Sequence, residues 1–529
     1  MSSSQPSVIS NGVHAHHGKP LRGLMSTPTS AVFEGRFGRM FRSLPAARYG
    51  ATEAASRAAL MTLGELMTSG FDAPKDGNDP EESGIPALYT YLGQFIDHDI
   101  TFDPVSTLVA HKDPNALTDF RTPAFDLDDV YGRGPNDQPY LYDNGPKFLL
   151  GDPLNNGAPD LPRNSGHPRR ALIGDPRNDE NSIVSQLQGL FLRFHNRTVD
   201  DHKGLDFPSL QQIVRFHYQW IVLHDFLPRI VHSSVLHGLQ TNGKFDRDKL
   251  RFFHWRHEPF MPVEFSVAAY RLGHSMIRPG YRLNDDDTTL LPIFPIPPKT
   301  IKGAPNGIPD GLTGFQEMAR NRGIDWGRFI DTDIRSSGTD NASDASTKKR
   351  LQFAYRIDTS LVTPLSVLPP SVASDPPISL PQRNLIRSFE LGLPSGQAVA
   401  RAMGVPVLPD DKIKIGKAVD NPQGGDDPDV RGTIASLDKL APFKRNCPLW
   451  TYILAEAFQN EETVEIPVTE KKKIRTPRLG PVGGRIVAEV FLGLMFGDNH
   501  SFLNLDPHWQ PPSGPGFRLK DFVNYALGH

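Results

Sequence analysis

The stretch GQFIDHD, residues 93–99, decides the fold prediction for this 529-residue chain. We predict a helix that begins near Pro86, because proline is favoured in the first helical turn. At about 100° per residue, Gln94, Asp97 and His98 share one face of this helix, while its apolar side chains face a core. Polar groups that point inward are costly unless they find partners. The alternative is a helix end with solvated polar residues.

Composition limits the classes of protein to which the chain can belong. A net charge of −3 leaves no electrostatic footprint for nucleic acid. The single cysteine, Cys447, excludes an intrachain disulfide and disfavours a disulfide-stapled extracellular protein. The longest apolar runs, such as 490–496, are too short to span a bilayer, and residues 1–20 lack the apolar core of a Sec-type signal peptide. We therefore expect a soluble protein, either cytoplasmic or exported by a leaderless route.

The domain organisation follows from apolar spacing and from the content of proline and glycine. Residues 1–30 are predicted to form a disordered or wrapping N-terminal arm, because they bury too little apolar surface to offset the entropy of ordering. Residues 31–529 are predicted to form one domain. Helical spacing predicts further helices at 52–67, 213–231, 314–334, 450–458 and 487–496. The 49 prolines and 46 glycines predict long irregular connections, so the expected fold is mainly α with little β.

An acidic loop, TPAFDLDDVYG at residues 122–132, follows the first helix. Thr122, Asp126 and Asp128 stand at even spacing and put oxygen side chains on one side of an extended loop. The carbonyl of Ala124 falls between them. Ca²⁺ takes about six to eight oxygen ligands, and Asp99 of the first helix adds a third carboxylate. The alternative is an acidic loop that is merely solvated.

A third polar motif, GDPRNDE at residues 174–180, is typical of a helix start. Asp175 can cap the helix, and Pro176 suits its first turn. Arg177 and Glu180 are three residues apart and therefore share a face. From the spacing alone, an ordinary acidic helix start with a local ion pair is the preferred explanation of this motif.

A single histidine stands on an apolar helix predicted at residues 265–279. Arg271 lies about one turn before His274 on the same face, and small residues near them permit close approach of a flat ligand or of a neighbouring helix. A lone histidine in such a place is more often a hydrogen-bonded core residue than a metal ligand.

Taken together and in this order, these motifs resemble the animal-type haem peroxidases of the peroxidase–cyclooxygenase superfamily, in particular a disulfide-free, bacterial-type member. The resemblance covers roughly residues 85–505. A fifth segment, LPQRNLIR at residues 380–387, resembles the family segment whose asparagine bonds the proximal histidine. The resemblance implies a single large helical haem-peroxidase domain that binds b-type haem and Ca²⁺.

Roles for individual residues follow from this resemblance. His98 would move a proton on bound hydrogen peroxide, Arg177 would stabilise charge on the peroxide, and Gln94 would order a distal water or a halide. His274 would ligate the haem iron, and Asn384 would hold the other ring nitrogen of that histidine.

The resemblance also implies the remaining contacts to the cofactor and to the cation. Arg271 would pair with a haem propionate, and Arg387 is the arginine retained in the segment that carries Asn384. The implied calcium ligands are Asp99, Thr122, Ala124, Asp126 and Asp128.

Two carboxylates match positions at which family members form esters to haem methyl groups. Asp97 and Glu180 are both present, so the resemblance allows two ester links; the alternative is that both are free acids. Asn181 replaces the methionine that makes a third link in some members. The expected donors are therefore halides other than chloride, thiocyanate and phenols.

Three functions stay open at this point. The first is a peroxidase that uses H₂O₂ to oxidise small donors, an activity associated with the response to oxidative stress. The second is a haem-dependent fatty-acid dioxygenase or cyclooxygenase-like enzyme, in which a radical-forming tyrosine stands three residues before the proximal histidine. That position is Arg271 here, and the adjacent Tyr270 points about 100° away on a helix. The third is a non-catalytic adhesive module of the same fold. Sequence does not indicate the oligomeric state.

Overall fold

The computed structural model describes residues 35–70, 79–101, 118–119, 121–255, 258–295, 311–338, 349–370, 372–373, 375–419 and 429–529. The predicted arm at 1–30 lies outside the described residues, and the domain boundaries stay a prediction. Among the described residues, every helix is too short or too polar to traverse a lipid bilayer.

Helices dominate the structure. Helices, including 3₁₀ turns, hold 40% of the described residues and strands hold 12%, which confirms the mainly α prediction. The helices are α1 (Glu53–Leu66), α2 (Leu88–Ile100), α3 (Asp128–Tyr131), α4 (Ser182–Asp201), α5 (Phe207–Ile221), α6 (Leu227–Ile230), α7 (Ser233–His237), α8 (Val263–Ser266), α9 (Leu380–Glu390), α10 (Gly396–Met403), α11 (Leu449–Gln459), α12 (Gly483–Gly497), α13 (Phe502–Leu505) and α14 (Leu519–Leu527).

Strands are short and scattered over the helical body. They are β1 (Gly35–Gly38), β2 (Glu82–Pro86), β3 (Thr118–Asp119), β4 (Gln240–Thr241), β5 (Lys244–Phe245), β6 (Met261–Pro262), β7 (Gly280–Tyr281), β8 (Leu291–Pro292), β9 (Phe353–Tyr355), β10 (Lys414–Gly416), β11 (Val430–Thr433), β12 (Glu461–Glu465) and β13 (Lys473–Pro477). Strand β1 lies between β3 and β6, antiparallel to the first and parallel to the second. The other strands form antiparallel pairs, β2 with β9, β4 with β5, β7 with β8, β10 with β11 and β12 with β13.

Helix α2 runs through the centre of the apolar core. The Phe95 ring stacks on Phe191 of α4, with centroids 4.3 Å apart and planes 6° apart. The helix begins at Leu88, two residues after Pro86, because Pro86 ends β2, where it pairs with Phe353. The prediction of the helix was thus correct and its first residue was off by two.

Helix α4 connects α2 to the C-terminal helix α14. The Phe194 ring stacks on Phe522 with centroids 4.2 Å apart. The dominant cluster of buried apolar side chains extends in sequence from Phe37 to Ala526. Segments from both ends of the described chain therefore share one core.

Two predicted helices that carry site residues are interrupted. The motif at 174–180 forms a 3₁₀ turn, Pro176–Asp179, and α4 begins separately after its N-cap, Asn181. The predicted helix at 265–279 is the short α8 followed by a 3₁₀ segment, Ala269–His274. Spacing of i+3 places residues on one face in either type of helix, so the shared faces were predicted correctly although the helix type was not.

Two further helix predictions need correction. The helix predicted at 314–334 is wrong, because this segment holds only the 3₁₀ turns Arg320–Arg322 and Trp326–Arg328, and Phe315 has a left-handed φ of 57°. The helix predicted at 213–231 is divided by a π-helical turn, Val222–Phe226, between α5 and α6.

Candidate functional site

A cavity of about 310 Å³ is lined by α2, the 3₁₀ segment Ala269–His274 and α9. The nine residues that the sequence proposes for catalysis and cofactor binding all line it. They are Gln94, Asp97, His98, Arg177, Glu180, Arg271, His274, Asn384 and Arg387. Residues separated by up to 293 positions in sequence thus meet at one site.

His98 is fixed by an amide on the turn before α4. Its Nδ1 lies 2.7 Å from Oδ1 of Asn178. Both protons of the Asn178 amide are already donated, to Asp129 at 2.9 Å and to Gln188 at 2.8 Å. Asn178 therefore accepts from His98, so the ring proton sits on Nδ1 and Nε2 is the basic nitrogen.

Burial keeps the His98 imidazole neutral. The residue is 1% exposed, and burial together with the nearby Arg177 lowers the pKa of His98 to about 4. Its Nε2 lies 3.8 Å from Oε1 of Glu180, within the same cavity. A neutral imidazole with a basic Nε2 is the state that a general base requires.

Arg177 is anchored by the carboxylate of Asp175. Its Nε lies 3.1 Å and its Nη2 2.7 Å from Oδ2 of Asp175, and Nη2 also donates to the backbone carbonyl of His98 at 2.8 Å. Asp175 also accepts from Nη2 of Arg121 at 2.6 Å. Burial alone would raise the pKa of Asp175, but the two arginines hold it well below its usual range.

Gln94 orients the carboxylate of Glu180. Its side-chain Nε2 donates to Oε1 of Glu180, and its Oε1 accepts from Asn181 Nδ2 at 3.3 Å. The Asn181 side chain also caps α4, accepting from the backbone N–H groups of Ile183 and Val184 at 3.0 Å each. Capping gives position 181 a structural role in this chain.

His274 is the last residue of the 3₁₀ segment Ala269–His274, and Asn384 of α9 lies beside it. Nδ2 of Asn384 lies 2.8 Å from Nδ1 of His274, so the amide engages one ring nitrogen and Nε2 is the other. Nearby, Nε of Arg271 donates to the backbone carbonyl of Ser266 at 2.9 Å, and the carbonyl of Arg271 accepts from Trp450 of α11.

The cavity residues fit the haem that the resemblance implies. A Cβ added at Gly273, which lines the cavity beside His274, meets no atom of the described residues within 4 Å. Open space over a glycine is what close approach of a flat macrocycle requires. The imidazoles of His98 and His274 line the same cavity. A haem site needs this arrangement, with one histidine as the iron ligand and the other as the proton-transfer group.

An acidic cluster includes Asp99, the residue that follows His98. Carboxylate oxygens of Asp99, Asp126 and Asp128 lie within 4.8 Å of one another, so three of the five predicted calcium ligands meet. Thr122 and Ala124 precede them on the loop, where the Thr122 carbonyl accepts from the Ala124 amide at 2.7 Å. Their participation as ligands stays a prediction.

The acidic cluster has the electrostatics of a cation site. Neither carboxylate oxygen of the fully buried Asp99 has a hydrogen-bond partner among the described residues. Burial, and after it the neighbouring carboxylates, raises the pKa of Asp99 well above its usual range and that of Asp129 to about 8. Buried carboxylates that repel one another need a cation to compensate them, and an all-oxygen set suits Ca²⁺.

Three residues that connect the acidic cluster to the cavity were not predicted in this role. Asp129 accepts from Asn178, which in turn holds His98. Arg121 bridges Asp128 at 3.0 Å and Asp175 at 2.6 Å. A signal was present, because Arg121 directly precedes the acidic loop, Asp129 lies within it and Asn178 follows Arg177. Spacing alone does not show which partners these residues reach.

Comparison with known protein families gives a match over part of the chain. A family model described as animal haem peroxidase matches residues 110–320. No curated protein sequence matches the chain significantly.

Solved structures share the fold at low sequence identity. Peroxidase A from Dictyostelium discoideum has a TM-score of 0.57 at 14% identity, with 94% of this chain and 93% of that chain covered. A fatty acid alpha-dioxygenase from Arabidopsis thaliana has a TM-score of 0.51 at 13% identity, with 91% and 76% covered. Residues 110–320 therefore match the animal haem peroxidase family, and the chain shares the fold of these peroxidase and dioxygenase structures.

Proposed function

We propose that the chain is a haem peroxidase that uses H₂O₂ to oxidise small donors. The observation that supports this most strongly is His98, whose protonated Nδ1 is held by Asn178 and whose basic Nε2 belongs to the cavity shared with His274. Burying a polar imidazole and fixing its tautomer costs free energy of folding. A non-catalytic adhesive module would gain nothing in return.

The distal residues divide the work of peroxide cleavage. Bound haem would supply the redox-active iron at which the O–O bond breaks. His98 Nε2 would take a proton from the entering peroxide oxygen and return it to the leaving oxygen, which departs as water. Arg177, held rigid by Asp175, would stabilise the negative charge that develops on the leaving oxygen.

The proximal residues would hold the iron and set its electronics. His274 would bind through Nε2, which places its proton on Nδ1. A half-turn of the Asn384 amide would present Oδ1 to accept that proton. Because an amide is neutral, the imidazole gains less anionic character than it would beside a carboxylate. Arg271 and Arg387 would pair with the haem propionates.

The expected donors follow from the resemblance and from position 181. Iodide, bromide, thiocyanate and phenols are the small donors that we expect at this site. Asn181 caps α4 and carries no sulfur for a sulfonium link to haem. We therefore do not expect chloride oxidation.

The decisive experiment compares two activities of the haem-loaded protein. We expect H₂O₂-dependent oxidation of iodide and guaiacol, and no rapid O₂ consumption with an unsaturated fatty acid. Position 271, which holds the radical-forming tyrosine in the dioxygenase branch, is arginine here, and the adjacent Tyr270 donates its hydroxyl to the Gly93 carbonyl at 3.1 Å. Rapid O₂ uptake with fatty acid and no peroxide-dependent oxidation would replace this proposal with a dioxygenase. Absence of a haem absorption band would favour the adhesive module.

We also propose that Asp97 and Glu180 form esters with haem methyl groups. Both line the cavity, and hydrogen bonds from Thr101 and Gln94 orient them. Each ester replaces one methyl hydrogen, and H₂O₂ accepts the two electrons released. After peroxide treatment, haem should stay with the chain in acidified organic solvent, and Asp97→Asn or Glu180→Gln should each remove one link by mass spectrometry. Haem that extracts completely from the treated parent protein shows that both are free acids.

The acidic cluster is proposed to bind Ca²⁺. A ligand that binds only the folded state stabilises it by about 2.7 kcal/mol at a concentration 100-fold above Kd. We expect thermal unfolding of the chelator-treated protein to move to higher temperature when Ca²⁺ is added. Asp126→Asn should abolish this response. Asp137→Asn, at an exposed acid near the loop, is the control that should retain it. An equal response in both variants would place the cation elsewhere.

A further inference from the structure

A phenol and a carboxylate form a buried pair in the cavity wall, apart from the residues discussed so far. Tyr89 of α2 lines the cavity and is 1% exposed. Its hydroxyl donates to Oδ2 of Asp225 at 2.6 Å, and Asp225 is itself buried. Asp225 lies in the π-helical turn Val222–Phe226, an irregularity that is frequent at functional sites. The cavity wall thus contains a hydrogen bond along which a proton can move from the Tyr89 hydroxyl to the Asp225 carboxylate.

Neighbouring groups hold this pair in place and connect it to the surface. Oδ1 of Asp225 accepts from Nε of Arg229 at 2.8 Å, and Oδ2 accepts from the Leu519 amide at 2.9 Å. The Arg229 guanidinium also lies over the Tyr89 ring, 4.2 Å from its centroid. The Arg229 side chain is 28% exposed, so one side chain separates the Tyr89 ring from solvent.

Burial shows which protonation state the pair has at rest. Removal from water raises the pKa of Tyr89 well above its usual range, with Asp225 adding to the effect and Arg229 opposing it. The phenol therefore keeps its proton. Loss of an electron alone would place a positive ring beneath the positive Arg229, which is electrostatically unfavourable. Oxidation of Tyr89 must therefore release a proton as well, and Asp225 is positioned to receive it.

We propose that Tyr89 is a redox-active residue that passes oxidising equivalents from the cavity to donors too large to enter it, an inference that rests on the proposed peroxidase function. In the first step, an electron leaves Tyr89 for the oxidant formed in the cavity from H₂O₂, and the phenolic proton moves to Oδ2 of Asp225. In the second step, a donor at the surface supplies one electron and the proton returns to the Tyr89 oxygen. The pair is regenerated, and the donor is oxidised by one electron.

The other tyrosines that line the cavity in the described part of the chain lack this arrangement. Tyr270 donates to the backbone carbonyl of Gly93, and an amide oxygen is too weak a base to take the proton. Tyr91 packs edge-on against the ring of Tyr281, with centroids 5.4 Å apart. Tyr270 is therefore a matched control, since it lines the same cavity and differs in the basicity of its acceptor.

Electron paramagnetic resonance provides the first test. The haem-loaded protein, frozen shortly after mixing with H₂O₂, should show a radical whose hyperfine splitting changes when the protein is grown with ring-deuterated tyrosine. Tyr89→Phe should abolish this signal, and Tyr270→Phe should retain it. In the parent protein, a nitroso spin trap should label the peptide that contains Tyr89, which tests the site without any substitution.

Donor size provides the second test. Reduced cytochrome c is too large for the cavity, whereas iodide can enter it. Tyr89→Phe should lose most of the peroxide-dependent oxidation of cytochrome c and retain iodide oxidation. Iodide oxidation in the parent without a tyrosine radical, or with one trapped at another residue, would overturn the role of Tyr89 and leave the peroxidase standing. If the parent protein oxidises neither cytochrome c nor iodide with H₂O₂, both proposals are overturned.

Discussion

His98→Ala is expected to slow the reaction of the haem-loaded protein with H₂O₂ by about 100- to 10,000-fold, the usual contribution of a positioned acid–base group. The methyl group that replaces the ring cannot accept the peroxide proton. Arg177 stays anchored, because its carboxylate partner Asp175 and its contact to the backbone carbonyl at 98 do not depend on the imidazole. Stopped-flow absorption at increasing peroxide concentration measures the bimolecular rate directly.

The control for this prediction is a histidine outside the cavity. His254 is exposed, and His254→Ala should react with H₂O₂ at the parental rate. Haem content should be the same in the parent and in both variants, because the proposed iron ligand is intact in all three. A parental rate in His98→Ala would contradict the proton-transfer role, whatever its haem content.

His274→Ala should remove the protein ligand from the iron, the largest spectroscopic change expected of any single substitution. If Asp97 and Glu180 hold haem covalently, the cofactor can stay attached without its ligand, so the absorption spectrum is a better measure than haem content. We expect the absorption band of the parent to shift or disappear, and added imidazole to restore part of it by occupying the vacated space.

Asn384→Ala is the graded companion to this variant. It keeps His274 and removes the amide 2.8 Å from Nδ1, so the spectrum should change less and ligation should persist. Circular dichroism of both variants reports whether the helices are retained. A parental spectrum in His274→Ala with intact helices would contradict the assignment of the iron ligand.

The sequence was most informative where one helix carries both a core stripe and a functional face. In α2, Phe95 stacks in the core while Gln94, Asp97 and His98 reach the cavity, as the 100° period predicts. The prediction that two residues share one face also held where the predicted helix type was wrong. Arg271 and His274 line the cavity from a 3₁₀ segment, because residues three apart align there as well.

Long-range pairing was beyond the reach of a single sequence. Asn178 meets His98 across 80 positions, and Arg121 meets Asp175 across 54. Neither partner is determined by local spacing, since these contacts exist only when α2 and the segment at Arg121 each pack against the turn before α4. Local chemistry also misled at 314–334, where Phe315 adopts a left-handed conformation and the segment forms only short 3₁₀ turns. Apolar spacing does not report such backbone conformations.

The amide of Asn178 is a rigid plane with the imidazole of His98 at one edge and the carboxylate of Asp129 at the other. If the amide rotates to follow one of these neighbours, its hydrogen bond to the other neighbour must change direction as well. A substitution in the acidic loop that moves Asp129 should therefore also tilt the imidazole of His98. The two positions cannot be changed independently of each other.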